Sequence, residues 1–308
     1  MSVVSGCSRI KISGGEFSRY HPLVNFTYFV LVFAFSMMLT HPVSQIVSLV
    51  CAVVCGISVC GRKGVFFSLK YSLPVLLLTA FVNPAFSHAG VTILTYLPTG
   101  NPLTLESILY GISSGCMLAA ILCWFMCFNE VITSDKFIYL FGKIIPVLSL
   151  LLSMTLRFVP KLKEQIDTVS ESQKCIGRDV SQGSVFRRIR NAVTVLSIVV
   201  TWSLENAIET ADSMKSRGYG LKGRTAFSVY RFEERDRNML IWLVFCGVYV
   251  MCGKISGIFE WRYFPSIAGF PVIPFSVGFH AVYFMMCITP AVINRLEECR
   301  WKNIQSGI

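Results

Sequence analysis

The chain has 308 residues, 54% of them hydrophobic and only 15% charged, with a formal net charge of +11. A soluble globular domain carries roughly 25% charged residues, so this composition excludes an ordinary water-soluble enzyme or binding module and points to the membrane. The positive excess then reads as the lysine and arginine bias of cytoplasmic loops, not as a nucleic-acid surface.

A polar leader holding Arg9, Lys11, Glu16 and Arg19 opens the chain. Apolar runs of 18 to 24 residues follow at 23–40, 43–60, 69–87, 105–128, 239–258 and 272–290. Each is near the ~20 residues that cross a ~30 Å hydrocarbon core. The first run leads straight to His41-Pro42 without the small-residue cleavage signature of a signal peptide, so it is expected to be a first transmembrane helix. Pro74 in the third run allows a kink without abolishing a span. With the N-terminus inside, the inner segments 1–22, 61–70, 129–238 and 291–308 hold 3, 3, 17 and 3 of the 28 Lys and Arg residues. The reverse orientation would violate the positive-inside rule, so six spans with both termini cytoplasmic are expected.

The segment 129–238 is too long for a plain connection and is patterned for helices. Leu151, Phe158, Leu162, Ile166, Val169 and Ile176 recur at helical spacing with Lys161, Lys163, Glu164, Asp167 and Glu171 between them. Ile189, Val193, Leu196, Val200, Leu204, Ile208, Ala211 and Met214 repeat the pattern. Pro146 suits a helix start, and Pro160 predicts a kink or a fresh start. S-Q-G-S at 181–184 separates two long helices, and R-G-Y-G-L-K-G ends the second. The apolar stretch 192–202 is too short to span a bilayer alone and is expected at the inner boundary or against the other helix. The expected architecture is therefore all-α: a polytopic bundle of about six spans with two long amphipathic cytoplasmic helices. Its parts are 1–128 with four spans, 129–238 with the amphipathic helices, and 239–308 with two spans.

Catalysis has no visible home. The twelve cysteines fall mostly inside apolar runs and none forms C-x-x-C, which reads as buried packing and not as a metal or disulfide framework. The spans hold almost no ionisable residue; His280 is the main exception and reads as structural. His41 and His88 are placed at outer loop edges and His21 at the inner edge, without forming a ligand cluster. Neither H-E-x-x-H nor G-x-x-x-x-G-K-[ST] occurs, so no zinc proteolysis and no ATP binding by this chain is expected; G-R-K-G at 61–64 reads as a basic inner turn. No catalytic residue, cofactor or metal site is assigned.

Several short segments carry a resemblance. A-D-S-M-K-S-R-G-Y-G at 211–220 ends the second long helix, L-R-F-V-P at 156–160 leads into the first, and E-S-Q-K-C-I-G-R at 171–178 closes it. F-V-N-P at 81–84, T-L-E at 104–106 and S-R-Y-H-P at 18–22 complete the set. In this order the chain resembles the transmembrane T component (EcfT, CbiQ-like) of energy-coupling factor transporters, with 211–220 similar to the second Ala-Arg-Gly-type motif of that family and 171–178 in the place of the first. Two departures stand out. Ile176 occupies the place of the first motif's usual arginine, with Arg178 two residues on. His21 and Asn25 replace the charged residues of the leader's usual Asp-Pro-x-x-Lys pattern.

The resemblance implies a prokaryotic cell-membrane complex with two cytoplasmic ABC-type ATPase subunits and one small substrate-binding membrane protein, the S component, taking up a vitamin or metal ion. It implies ATPase docking through Met214, Ser216, Arg217 and Gly218 at one helix end and Ile176, Gly177 and Arg178 at the other. Val195, Val199 and Trp202, on the second helix's other flank, are expected to touch the S component. The alternatives are the permease of an ordinary ABC transporter, which binds substrate itself, and a stand-alone carrier, which needs a polar pathway or repeated halves. A guanidinium at a helix C-terminus suits the negative end of the dipole and reaches carboxylates in several directions. The plain alternative for Lys215, Arg217 and Gly218 is a helix cap and nothing more.

Overall fold

The computed structural model describes residues 15–87, 90–96, 102–142, 146–221, 230–269, 271 and 273–306. By their internal contacts these form two units: one of residues through Lys136 together with Tyr230 onward, and one of Phe137–Val229.

In the first unit, a 3-10 turn at Glu16–Arg19 leads into α1 (Pro22–Met38), followed by α2 (Pro42–Cys60). Both helices start by one device. His21 and His41 stand at the N-cap, each accepting through Nδ1 from the backbone N–H two residues on, at 3.2 and 3.3 Å, with proline next. Proline supplies a preset φ where its missing N–H costs nothing, and the imidazole satisfies an otherwise orphan donor.

The third apolar run is built of α3 (Arg62–Phe67), a π-turn at Ser68–Ser72 and α4 (Leu73–Phe86). Pro74 falls in the first turn of α4, so the lost N–H is absorbed where the ladder widens. The next elements are β1 (Ile93–Tyr96), β2 (Pro102–Thr104) and α5 (Leu105–Val131), with the strands antiparallel and Ile93 opposite Thr104. The F-V-N-P and T-L-E segments build this connection. Asn83 Nδ2 donates to Ser114 Oγ at 2.9 Å, Ser107 Oγ to Ser87 O at 2.7 Å, and the buried Glu106 carboxylate accepts from the backbone N–H and hydroxyl of Thr92. His88 lies outside the described residues.

After the second unit come α9 (Glu234–Ile255), the antiparallel pair β3 (Trp261–Arg262) and β4 (Ala268–Gly269), and α10 (Pro274–Ser306). The two small strand pairs are the additions to an otherwise all-α expectation. α5 packs on α1, α2 and α4; α10 packs on α2 and α9. The core is aromatic, with Phe17, Tyr28, Phe29, Phe35, Trp124 and Tyr283 fully or nearly fully buried. Two of its polar tips are paired: Tyr28 Oη donates to Cys287 O at 2.8 Å, and Trp124 Nε1 donates to Ser48 Oγ at 3.2 Å. Cys51, Cys55, Cys123, Cys127, Cys246 and Cys287 are buried among these helices, where a small side chain lets backbones approach.

Five helices of this unit meet the length and apolarity of a span: Pro42–Cys60, Gly64–Phe86, Leu105–Val131, Glu234–Ile255 and Pro274–Gln305. With α1, a shorter apolar helix of 17 residues, they account for all six expected runs.

The second unit holds α6 (Ser134–Gly142, which begins in the first unit), α7 (Pro146–Cys175) and α8 (Val185–Ser216). α7 starts at Pro146 as expected and runs unbroken through Pro160, so Pro160 marks no fresh start. At 30 and 32 residues, α7 and α8 are each about 45 Å long at 1.5 Å per residue. α8 also meets the length and apolarity of a span, a property that its central apolar stretch confers on a helix whose ends are charged.

Candidate functional site

α7 and α8 pack antiparallel. Phe158, near the middle of α7, stacks on Trp202, near the middle of α8, with ring centroids 6.1 Å apart. Lys161 donates to Asn206 Oδ1 at 3.2 Å and lies over the Trp202 ring. Farther along α7, Leu162 and Val169, together with Val180 of the turn, close over Val195 and Val199. Asn191 Nδ2 ties the turn by donating to Asp179 O at 2.9 Å, and Asp179 in turn accepts from the Ser181 N–H and hydroxyl, bonds that hold its carboxyl below the usual range.

The two apolar flanks of α8 differ in how they pack. Val195 and Val199 are buried in the seam and Trp202 is half-buried at its edge. The regular stripe of Ile189, Val193, Leu196, Val200, Leu204 and Ile208 stays exposed, each residue at about half its surface or more. Both flanks have i, i+3, i+4 spacing, so periodicity finds the stripes but not the one that meets α7.

The two helices end in the same backbone device. At the end of α7 the Gly177 N–H bonds to Lys174 O (3.0 Å) and the Arg178 N–H to Gln173 O (2.9 Å). At the end of α8 the Gly218 N–H bonds to Lys215 O (3.0 Å) and the Tyr219 N–H to Met214 O (3.0 Å). Gly177 and Gly218 have φ of +77° and +80°, the left-handed conformation that this closure demands and that side chains resist. The signal for the match was in the sequence: both ends read Lys-x-x-Gly, at 174–177 and 215–218.

The equivalence fixes the register of the two motifs. Ile176 stands where Arg217 does, immediately before the turning glycine, and Arg178 stands where Tyr219 does. Both residues lie beyond the last residue of α7, so no helical rotation relates Ile176 to Arg178. Ile176, Arg178, Ser216 and Arg217 are exposed, Met214 and Gly218 half-buried. The tips belong to opposite ends of the antiparallel pair, about 45 Å apart along α8. They share a backbone shape and a preceding lysine and differ in the residue at the crown, apolar on one and cationic on the other.

A second cluster escaped sequence reasoning. Lys136, 6% exposed, donates to Val131 O and Ser18 Oγ, each at 2.9 Å, and to Ser18 O. Burial lowers its pKa to about 8. Val131 O is a terminal carbonyl of α5, so the ammonium sits on the negative end of that helix. Asp236, also buried, accepts from the His21 N–H (3.0 Å) and the Glu233 N–H (3.1 Å), serving the positive ends of α1 and α9 together. With its amide turned to satisfy both neighbours, Asn25 donates to Phe17 O at 3.1 Å and accepts from Lys136 at 3.2 Å. The leader positions that lack charge, His21 and Asn25, are thus met by Asp236 and Lys136 from elsewhere in the chain.

The histidines also differ from expectation in one respect. His41 and His280 are brought together, with ring centroids 5.0 Å apart, beside Phe259 and Trp261. His280 Nδ1 is held by Ser276 O at 2.8 Å. Among the described residues, no group of three or more His, Cys, Asp or Glu side chains is placed to hold a metal ion.

A bundle of apolar helices with a long amphipathic helical insert defines a polytopic α-helical membrane protein. The family model described as CbiQ, cobalt transport protein, matches residues 19–227, and the chain belongs to that family. Relatives include the energy-coupling factor transporter transmembrane proteins EcfT of Lacticaseibacillus paracasei (33% identical over 109 residues, 35% of this chain and 39% of the relative) and Bacillus selenitireducens (32% over 111 residues, 36% and 41%). The EcfT of Lactococcus lactis is 29% identical over 111 residues, 35% of this chain and 42% of the relative. The matched stretch thus spans about two fifths of the length of these curated relatives.

Proposed function

We propose that this chain is the transmembrane coupling subunit of an ATP-driven uptake transporter of the energy-coupling factor type, without catalysis of its own. It lies in a prokaryotic cell membrane with both termini in the cytoplasm and works with two cytoplasmic ABC-type ATPases and a separate membrane protein that binds the vitamin or metal ion. The observation that carries this reading is the pair of matching exposed helix ends held at opposite ends of one antiparallel pair. Two docking points about 45 Å apart suit two separate subunits better than one. Family membership and the names of the relatives support the same reading.

In this reading the α8 end docks through Arg217, with Met214, Ser216 and Gly218 shaping the turn, and the α7 end docks through Ile176, Gly177 and Arg178. The membrane partner meets the pair along α8. Val195 and Val199 act from beneath, holding the helix in register, and Trp202 supports the edge. The exposed stripe from Ile189 to Ile208 supplies the apolar surface, since a row of six exposed aliphatic residues is costly to leave in water.

Affinity purification in mild detergent followed by identification of bound proteins tests this. Recovery of ATPases bearing phosphate loops, together with a small polytopic membrane protein, is the expected result. Transport reconstituted by this chain alone, with no ATPase present, refutes it.

A further inference from the structure

The chain passes between its two units twice, leaving the first after Lys136 and re-entering at Tyr230. Both passages meet the same short leader. On the outgoing side Lys136 grips Ser18 through its carbonyl and its hydroxyl. On the returning side the His21 ring packs edge-on against Phe232 at 5.3 Å and Tyr230 at 6.5 Å. Three residues after Phe232 the Arg235 guanidinium lies 4.4 Å over the Tyr20 ring, and Asp236 holds the His21 N–H. Asp135 also acts electrostatically on Tyr230, so the outgoing and returning strands lie close together. The leader itself is fixed from behind: Phe17 is fully buried against Tyr28, and its N–H donates to Asn294 Oδ1 at 3.0 Å.

Lys136 is an unusual choice for mere packing. It is buried, and among the described residues it has no carboxylate partner within ion-pair distance. Burial without a counter-charge works against the ammonium, as the lowered pKa records. An apolar side chain of the same length fills such a place at similar stability. What it cannot do is point three donors at once, to the end of α5 and to two atoms of one leader residue.

We infer that the leader segment Phe17–His21 is a pivot that clamps the two points at which the chain leaves and re-enters the first unit, with Lys136, His21 and Asp236 as the residues that hold those points in place. This rests on the coupling role proposed above. The residues act through the backbone they hold, so they are positioning residues and need not touch any partner.

The test uses spin labels on two exposed native cysteines, Cys175 in α7 and Cys299 in α10, with Cys7, Cys60, Cys116 and Cys252 replaced by serine. The full chain is reconstituted in lipid nanodiscs, alone and with its co-purifying ATPases, and the label-to-label distance distribution is read with and without ATP. Lys136→Met is expected to keep its fold and its bound ATPases while the distribution broadens in both preparations. The ATP-dependent change in the distance distribution is expected to fall by about threefold or more, the lower range for residues that modulate coupling. Phe232→Ala loosens the returning strand without touching a charge. It is expected to broaden the distribution likewise, and the double variant to add little, as residues of one clamp behave. Lys136→Gln, which keeps two donors, serves if the methionine variant does not fold. A folded Lys136 variant with the distribution and ATP response of the parent overturns the inference. If no ATPase binds even the parent, the coupling role fails instead, and the width measured on the chain alone still decides the pivot.

Discussion

Arg217→Ala bears most directly on the helix ends. In the free chain Arg217 is exposed and, among the described residues, makes no ion pair; the nearby pair, Lys215 with Asp212, is long at 3.9 Å and largely exposed. The turn that follows is closed by backbone bonds to Lys215 O and Met214 O and does not use the arginine side chain. Truncation should therefore change the stability of the chain by less than about 0.5 kcal/mol. In a docked complex the same guanidinium loses water and gains a carboxylate or carbonyl, and removing a buried interface arginine costs about 2–4 kcal/mol. That converts to a loss of affinity of about thirtyfold to a thousandfold. The assay is a titration of the detergent-solubilised variant with isolated ATPase, alongside a thermal unfolding scan. Avidity from the second tip hides part of the loss in a simple pull-down, so monomeric ATPase is the better ligand. Undiminished affinity with an unchanged unfolding temperature refutes the reasoning, because it leaves Arg217 as a cap and nothing more.

Other outcomes follow from the same geometry. Ile176→Arg places a cation at the position equivalent to Arg217; tighter retention of ATPase in co-purification is expected if the two grooves are alike, and weaker retention if the α7 groove is apolar. Val199→Asp buries an unpaired carboxylate in the α7–α8 seam and should cost about 3 kcal/mol or more, read as protease sensitivity of the insert. Leu196→Asp, on the exposed stripe, should leave protease resistance intact and release the membrane partner proposed above. Lys136 gives a pH signature. Its folded pKa of about 8 lies below the 10.5 of a free lysine side chain, so between these limits the unfolded chain holds a proton that the folded chain has released. Stability from this group is thus gained as pH rises from about 8 toward 10.5, by up to about 3 kcal/mol, and is absent below pH 8. The unfolding temperature of the parent should rise relative to Lys136→Met over that window; parallel curves would remove Lys136 from the account.

The sequence made the helices plain because their causes are local. The two His-Pro steps and the Lys-x-x-Gly endings act within four residues, and each uncharged run lies within one continuous stretch of chain. The faces of α8 were less legible, since two stripes of like spacing compete and the winner depends on what α7 offers opposite. The pivot was not legible at all. Its bonds join residues 118, 215 and 277 positions apart, and a lone lysine after an apolar helix reads as an ordinary positive-inside residue. The charges missing from the leader were the one hint, and they gave no clue to where replacements would arise.

The antiparallel pair also sets a mechanical condition. A helix cannot shorten without breaking its hydrogen bonds, so the span between the tips behaves as a strut of fixed length. Two bodies held on its ends can approach each other only if the strut swings out of the line between them. For a strut of about 45 Å, drawing the ends together by about 5 Å demands a swing of about 27°. A modest closure at the two ends thus becomes a large rotation of the surface that runs between them, and the exposed stripe of α8 is that surface.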